Sequence, residues 1–524
     1  MSPSRLRHLA PVLLLTGVTL AAHANGIANG FAWDDKLIIV DNPDTRDLSR
    51  LTKVMLSPDV MKPYYRPLCR AWYLVDYQLY GMEAGGFHAE NLLLHVAGVL
   101  LLFALGLRLF QQVAPALLAA LLLAVHPIHV EAVAFISARN NLLALLFSLA
   151  ATLLLMRAVE RRSWAAAVLS GVAFFLGLAS KEQGAMVLPV LGAWLLIAPG
   201  SRPLRWRGLL FLTPHLVALA AYLAFRSVAL GGPGAADAIW PGLAERLLRN
   251  YYLLPAYLRL MVFPDQLTFL HELPSDYLTL WWLPLTWLLL IGLVAWLIRA
   301  PSPASAFGLL WCGLNLVPML GVVPIPSTEQ TVMAERFIHA SAAGAWLVVA
   351  DLLFRVAHRV PRRVAWVGAA ALVLALSART WSRTEDWKDE LALRRSAVRA
   401  TPRSLMARFD LGTELKDLGD LEGARAEWLA ALSIAPKDPG THTQLGTLAA
   451  VEGRLDEAEA HYRVALAGEP GLAEAALNLG KICERTGRSA EATGHYRVVV
   501  GSARASGELV AKARAALVRL GAVP

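Results

Sequence analysis

The sequence predicts an all-α chain, a polytopic membrane helix bundle followed by a helical-repeat solenoid. Three observations carry this. Of 524 residues, 56% are hydrophobic and only 17% charged, and mean hydropathy is +0.48, outside the range of ordinary soluble proteins. Long apolar stretches recur as far as residue 378. A 34-residue period then governs the last quarter of the chain.

The apolar stretches lie near 9–24, 89–110, 114–136, 142–158, 164–180, 184–199, 208–226, 278–299, 305–323, 337–357 and 364–378. Each approaches the roughly 20 residues that cross the hydrocarbon as a helix. A spanning helix also satisfies its own backbone, which lipid cannot do. If about 11 helices alternate, Arg5/Arg7, Arg108, Arg157/Arg161/Arg162, Arg202/Arg205/Arg207, Arg299 and Arg355/Arg359/Arg362/Arg363 fall on one side, which is then cytoplasmic. The expectation is a multi-pass protein of the inner (cytoplasmic) membrane. Its first loop, 25–87, and everything after about 379 face outward. The segment 242–263 carries Glu245, Arg246, Arg249 and Arg259 and is expected to be interfacial. At the N-terminus, Ala22-His23-Ala24 resembles a cleavage site after a short apolar run, but a retained first helix is the expectation.

The predicted units are a membrane domain 1–378, an amphipathic connector 379–404 with Trp381, Trp387, Leu391 and Leu393, a repeat array 405–506, and a capping helix and tail 507–524. The array repeats Leu411-Gly412, Leu445-Gly446 and Leu479-Gly480. Gly419/Gly453/Gly487, Ala424/Ala458/Ala492 and Trp428/Tyr462/Tyr496 keep the same period, as do Pro402, Pro436 and Pro470. This is the tetratricopeptide pattern, with units 405–438, 439–472 and 473–506: small residues where two helices touch, an aromatic knob and a proline at the break. Such stacks bind protein or peptide along one face, or act as spacers. Residues 401–524 carry 15 Lys/Arg against 16 Asp/Glu, so the positive excess of the chain belongs to the membrane part, and nothing points to nucleic acid. Cys69, Cys312 and Cys483 make neither a disulfide framework nor a metal spacing.

Candidate chemistry starts in the first loop, where Asp34 and Asp35 are adjacent. Glycosyl transfer with inversion needs a carboxylate to deprotonate the acceptor hydroxyl, and a neighbouring carboxylate raises proton affinity. A solvated acidic turn is the plain alternative. Arg66 lies in the same loop. His88, Asn91 and His95 fall on one face of the next helix, turned toward the bundle or a cavity. His126 and His129, with Glu131, offer a metal pair without an evident fourth ligand, or donors to a phosphate. Arg139, Lys181-Glu182 and Glu335-Arg336 also lie at outer helix ends. Each pair alone reads as a structural ion pair. Together they supply the clustered positive charge that a phosphate leaving group needs. No Gly-rich phosphate loop appears, so no nucleotide cofactor is expected; a divalent metal is possible but not required.

Phe31-Ala-Trp33-Asp34-Asp35, Tyr65-Arg66-Pro67-Leu68, His126-Pro-Ile-His129-Val-Glu131, Arg139-Asn140, Ser180-Lys181-Glu182 and Ala334-Glu335-Arg336-Phe337 occur in an order that resembles the transmembrane and tetratricopeptide-repeat O-mannosyltransferases. The resemblance covers nearly the whole chain, and the Ala/Leu/Arg-rich text suggests a bacterial relative. It implies a type C glycosyltransferase fold, a polyprenyl-phosphate sugar donor, mannose as the sugar and a Ser/Thr hydroxyl of a secreted protein as acceptor. It further implies Asp34 as base with Asp35 supporting, and donor-phosphate contacts from Arg66, His126, His129, Arg139, Lys181 and Arg336. His88, Asn91, His95, Glu131, Glu182 and Glu335 would support them. Three repeats are few for that family, and Arg139-Asn140-Asn141 departs from its Arg-Ala-Asp-like run. Two alternatives stay open: an enzyme of the same fold that glycosylates a lipid or envelope glycan, and a non-enzymatic scaffold or transporter with a docking array.

Overall fold

The computed structural model describes residues 3–61, 64–197, 205–232, 242–274, 276–320 and 333–522. Among the described residues the regular elements are all helices, and one antiparallel bridge joins His271 and Met333. They form two compact units, Met1–Leu393 and Arg394–Pro524. Residues 379–393 therefore pack with the membrane unit.

Among the described residues of the first unit, seven helices are long and apolar enough to cross a membrane, and eight if the bent pair Val113–Val125 and Pro127–Ala134 counts as one span. This makes the chain a multi-pass membrane protein, and the remaining apolar stretches of the sequence form shorter helices. The stretch 164–180 is a helix of only 17 residues, Trp164–Ser180. Lys181 then turns out of helical geometry, and the next helix opens as a 3₁₀ turn, Glu182–Met186. The stretch 305–323 yields a 14-residue helix, Pro303–Leu316. Hydropathy registers apolar runs but not such breaks. The ends of these stretches at 198–199 and 321–323, and the loop arginine Arg202, lie outside the described residues.

Helix Pro3–His23 packs on Val113–Val125 and Ala84–Phe110, burying Leu15, Thr19 and Ala22. Helix Leu243–Val262 buries Leu253, Ala256, Tyr257 and Leu260 against the bundle core, while Arg249 pairs with Glu245 and Arg259 with Asp265 at exposed positions. That amphipathic division matches the polar spacing of the sequence, and this helix is not among the candidate spans. Helices Trp282–Arg299 and Arg362–Glu385 leave apolar side chains such as Leu288, Ile291, Val367 and Leu374 exposed, the surfaces that lipid covers. Helices Pro303–Leu316 and His339–Ala357 cross at Gly308 and Gly344. A Cβ on either glycine would sit 2.5–2.6 Å from the other's carbonyl oxygen, so only glycine permits the approach.

In the second unit each 34-residue period holds two helices. They are Leu405–Asp417 with Leu421–Ile434, Pro439–Val451 with Leu455–Gly468, and Ala473–Arg485 with Ser489–Gly501; Gly507–Arg519 follows. The same contact recurs in each. A Cβ on Gly412 would lie 2.5 Å from Trp428, on Gly446 2.8 Å from Tyr462 and on Gly480 2.7 Å from Tyr496. Those aromatic rings are fully buried, as are Ala424, Ala458 and Ala492. Gly419, Gly453 and Gly487 take φ of +85°, +80° and +76° at the turn between the paired helices, a backbone region that disfavours a Cβ.

Candidate active site

The first loop enters its fold at Trp33, whose backbone is left-handed (φ +53°). For a bulky residue this conformation costs about 1–3 kcal/mol and persists only when neighbours over-determine it. The neighbours are numerous. The indole stacks on Phe135 at 5.4 Å and meets Phe269 edge-on at 5.1 Å. The Arg336 guanidinium lies over it at 4.9 Å. Its backbone N–H donates to Glu390 Oε2 at 2.7 Å.

Asp34 and Asp35 then diverge. Asp34 is half-buried. Asp35 is 1% exposed. Its Oδ1 accepts from the backbone N–H and the hydroxyl of Ser137, at 2.8 and 2.5 Å, and its Oδ2 accepts from Ala32 N–H at 3.2 Å. Burial pushes its carboxyl up to about 7, although the Ser137 hydrogen bonds pull it down. Asp35 thus ties the loop to the turn Ile136–Ala138 and leaves Asp34 as the more accessible carboxylate.

Two cations gather beside this loop. Arg336 is ion-paired with Glu131, whose other oxygen accepts the Arg336 backbone N–H at 2.9 Å. The Phe337 ring lies 4.9 Å from the Arg336 guanidinium and 5.4 Å from Lys181 Nζ, so one aromatic ring is flanked by both charges. Lys181 also donates to Asn141 Oδ1 at 2.5 Å. Arg66 pairs with Glu182 at 3.2 Å and lies over Tyr64. Glu335 accepts from Arg383 at 3.3 Å, with His271 at 3.5 Å.

Other residues singled out in the sequence lie elsewhere. Arg139 is wholly buried and engaged. It pairs with Asp76, lies 3.6 Å from Glu90, and donates to Asn91 Oδ1 at 2.6 Å and Phe87 O at 3.0 Å. These contacts direct Arg139 to protein acceptors, and Asn91 serves its network. His126 and His129 are likewise buried with both ring nitrogens taken. His126 meets Met261 O and Ile128 N; His129 meets His339 Nδ1 at 3.0 Å and accepts from Trp346 Nε1 at 2.9 Å. The 53° bend at Pro127 turns these rings into the bundle, where His95 and His339 join them with ring centroids 4.8–6.2 Å apart. Neither presents a nitrogen to a phosphate or a metal here. His88 reaches back to Gly30 O at 3.3 Å and so braces the loop.

Sequence reasoning missed Ser137, Arg383 and Glu390, and it assigned Trp387 to the amphipathic connector rather than to the site. Trp387 is fully buried and stacks on Phe135 at 5.2 Å. Its tryptophan identity within the expected amphipathic connector was the available signal.

Comparison with known proteins agrees with the motif resemblance. Residues 77–229 match the family model described as dolichyl-phosphate-mannose-protein mannosyltransferase. The chain is similar to Protein O-mannosyl-transferase F38B6.6 of Caenorhabditis elegans, 26% identical across 82% of this chain and 64% of that protein. It is also similar to Protein O-mannosyl-transferase TMTC3 of Homo sapiens, 25% identical across 83% of this chain and 52% of the relative. Human TMTC1 is 27% identical across 83% of this chain and 57% of its own length. The chain therefore spans between half and two thirds of these relatives. Among solved structures, ArnT from Cupriavidus metallidurans, bound to undecaprenyl phosphate, aligns over 98% of this chain and 89% of that one with a TM-score of 0.41 and 14% identity. The archaeal oligosaccharyltransferase AglB from Archaeoglobus fulgidus, in complex with an inhibitory peptide and a dolichol-phosphate, aligns over 75% of this chain and 56% of that one with a TM-score of 0.43 and 13% identity.

Proposed function

We propose that this membrane protein is an inverting glycosyltransferase that moves a hexose, mannose by similarity to the relatives, from a polyprenyl phosphate to a hydroxyl of a secreted or periplasmic protein. The observation that carries the reading is the accessible carboxylate Asp34, beside a loop packed under Arg336 and within one aromatic ring of Lys181. Asp34 takes the proton of the acceptor hydroxyl as it attacks the anomeric carbon, while the sugar–phosphate bond breaks on the opposite side. Arg336 and Lys181, with Arg66 behind Glu182, stabilise the charge growing on the leaving phosphate. Asp35 holds the loop through Ser137.

The test is transfer by the purified full chain in detergent, from polyprenyl-phosphate mannose to a Ser/Thr-rich peptide, with the anomeric configuration read by NMR. Inverted, peptide-linked mannose is expected. Transfer only to a lipid acceptor would replace the protein acceptor, and hydrolysis or transfer with retention would overturn the mechanism.

The positive loop residues support a cytoplasmic N-terminus in the inner membrane, with the first loop and the array outward. Alkaline phosphatase fused after residue 400 should be active, and after residue 205 inactive. The reverse pattern refutes this orientation.

A further inference from the structure

The carboxylate of Glu390 meets the first loop one residue before Asp34. Glu390 Oε2 accepts the Trp33 N–H at 2.7 Å, lies 3.8 Å from Lys36 Nζ, and belongs to a side chain only 7% exposed. On the other side of Asp34, Asp35 is fixed by Ser137. The dipeptide unit carrying Asp34 is therefore held at both ends, at Trp33 by a residue 357 positions away and at Asp35 by one 102 positions away.

Glu390 does not act alone. Residues 381–390 run beside residues 25–33. Asn25 Nδ2 donates to Trp381 O at 2.9 Å and to Glu385 Oε1 at 2.8 Å, Asn29 Nδ2 donates to Thr384 O at 3.1 Å, and Gly30 N–H donates to Lys388 O at 2.9 Å. Of these contacts, only that of Glu390 falls on the residue with left-handed backbone. A strained peptide needs an external restraint, and the Glu390 carboxylate supplies a charge-assisted one.

We propose that Glu390 is a positioning residue for the transfer reaction, holding the Trp33 peptide in its left-handed form so that Asp34 points at the acceptor. The inference rests on Asp34 being the base. Without the carboxylate the Trp33 N–H loses this acceptor, only the contacts of the indole with Phe135, Phe269 and Arg336 still oppose the strain, and the backbone relaxes toward extended geometry. Asp34 moves with it. A displacement of about 1 Å in a reacting group costs about 100-fold in rate. The competing account is that Glu390 only favours the start of helix Glu390–Ala400, where a first-turn carboxylate suits the helix dipole. That role affects stability and predicts no selective loss of turnover.

The experiment uses the full chain in detergent, with polyprenyl-phosphate mannose as donor and a Ser/Thr peptide as acceptor. It measures kcat, KM for both substrates, and the stoichiometry of donor-lipid binding. Glu390→Ala is expected to lower kcat roughly 10- to 100-fold, with donor stoichiometry and donor KM unchanged because Arg336, Lys181 and Arg66 are untouched. Glu390→Gln retains a carbonyl acceptor for the Trp33 N–H and should stay within a few-fold of wild type. Lys36→Met, which removes only the ion pair, should match wild type. Wild-type kcat in Glu390→Ala overturns the proposal. So does an equal loss in Glu390→Gln, or a loss that tracks donor-binding stoichiometry. Asp34→Asn is assayed alongside. If it transfers normally, the base assignment falls and the positioning role with it. If it is inactive while Glu390→Ala is normal, the positioning role alone falls.

Discussion

In the repeat array, helix meets helix through a glycine and an aromatic ring; in the membrane unit, the loop carrying Asp34 and Asp35 meets its neighbours through carboxylates, guanidiniums and an amide-to-carboxylate bond. Among the described residues, the array buries no Asp, Glu, Lys or Arg, and its ion pairs, such as Arg463 with Glu459, involve exposed or part-exposed side chains. The membrane unit buries Asp35, Asp76, Glu131, Arg139, Glu335 and Arg336, among others. Buried pairs are expensive to desolvate and add little net stability, so their retention points to a geometry that apolar packing would not specify. The array is stabilised by shape, whereas the site is held in place by partnered charge.

The sharpest way to break this contrast is to strip one partner from a buried pair. Arg139→Met leaves Asp76 buried without its cation, and should lower stability by about 3–5 kcal/mol. Thermal unfolding in detergent measures it; a loss below 1 kcal/mol would mean that Asp76 is readily hydrated.

A pH series sharpens the same point at the loop. The folded-state pKa of Asp35 is raised from 3.8 to about 7 by burial. The folded protein therefore keeps this proton where the unfolded chain has lost it. The stabilisation is fully present below about pH 4 and is lost as pH rises through about 7. Asp35→Asn carries no such proton. Relative to that variant, wild type should weaken by up to about 1.4 kcal/mol per pH unit across the window and run parallel outside it. Parallel curves throughout would show that Asp35 is ionised in the fold.

In the array the expected penalty is steric. Gly446→Ala drives a methyl into the buried Tyr462 ring, costing about 1–3 kcal/mol. Hydrogen exchange should quicken in Pro439–Val451 and Leu455–Gly468 and leave the membrane helices unchanged. Unaltered protection would remove the glycine–tyrosine contact from the account. Smallest of all is Arg504→Ala. Its ion pair with Glu469 is made by a side chain that is 88% exposed, and unfolding should not move.

These two regions also differed in how far the sequence revealed them. The array's contacts are local and periodic, so Gly446 and Tyr462 could be paired from spacing alone. The site is built from long-range partners. The Asp34-Asp35 pair was visible, and the resemblance implied Asp34 as base with Asp35 supporting, but the contact that fixes Asp35 was not, because Ser137 carries no motif. Arg139 looked like a phosphate donor because it opens a helix. Its true partner, Asp76, sits among Trp72, Tyr73, Leu74 and Tyr77, and an acidic residue in that apolar run was the overlooked hint. His126 and His129 were expected at a helix end, and they flank the bend at Pro127 with their rings buried in the bundle.

Transfer by Asp34→Asn tests the central claim most directly. The substitution keeps volume and removes the proton acceptor, and general-base contributions run about 10²–10⁴-fold. Turnover should fall by that factor while polyprenyl-phosphate mannose still binds, because the cations around Phe337 are unchanged. Wild-type turnover in Asp34→Asn would contradict the account and remove this carboxylate from the chemistry.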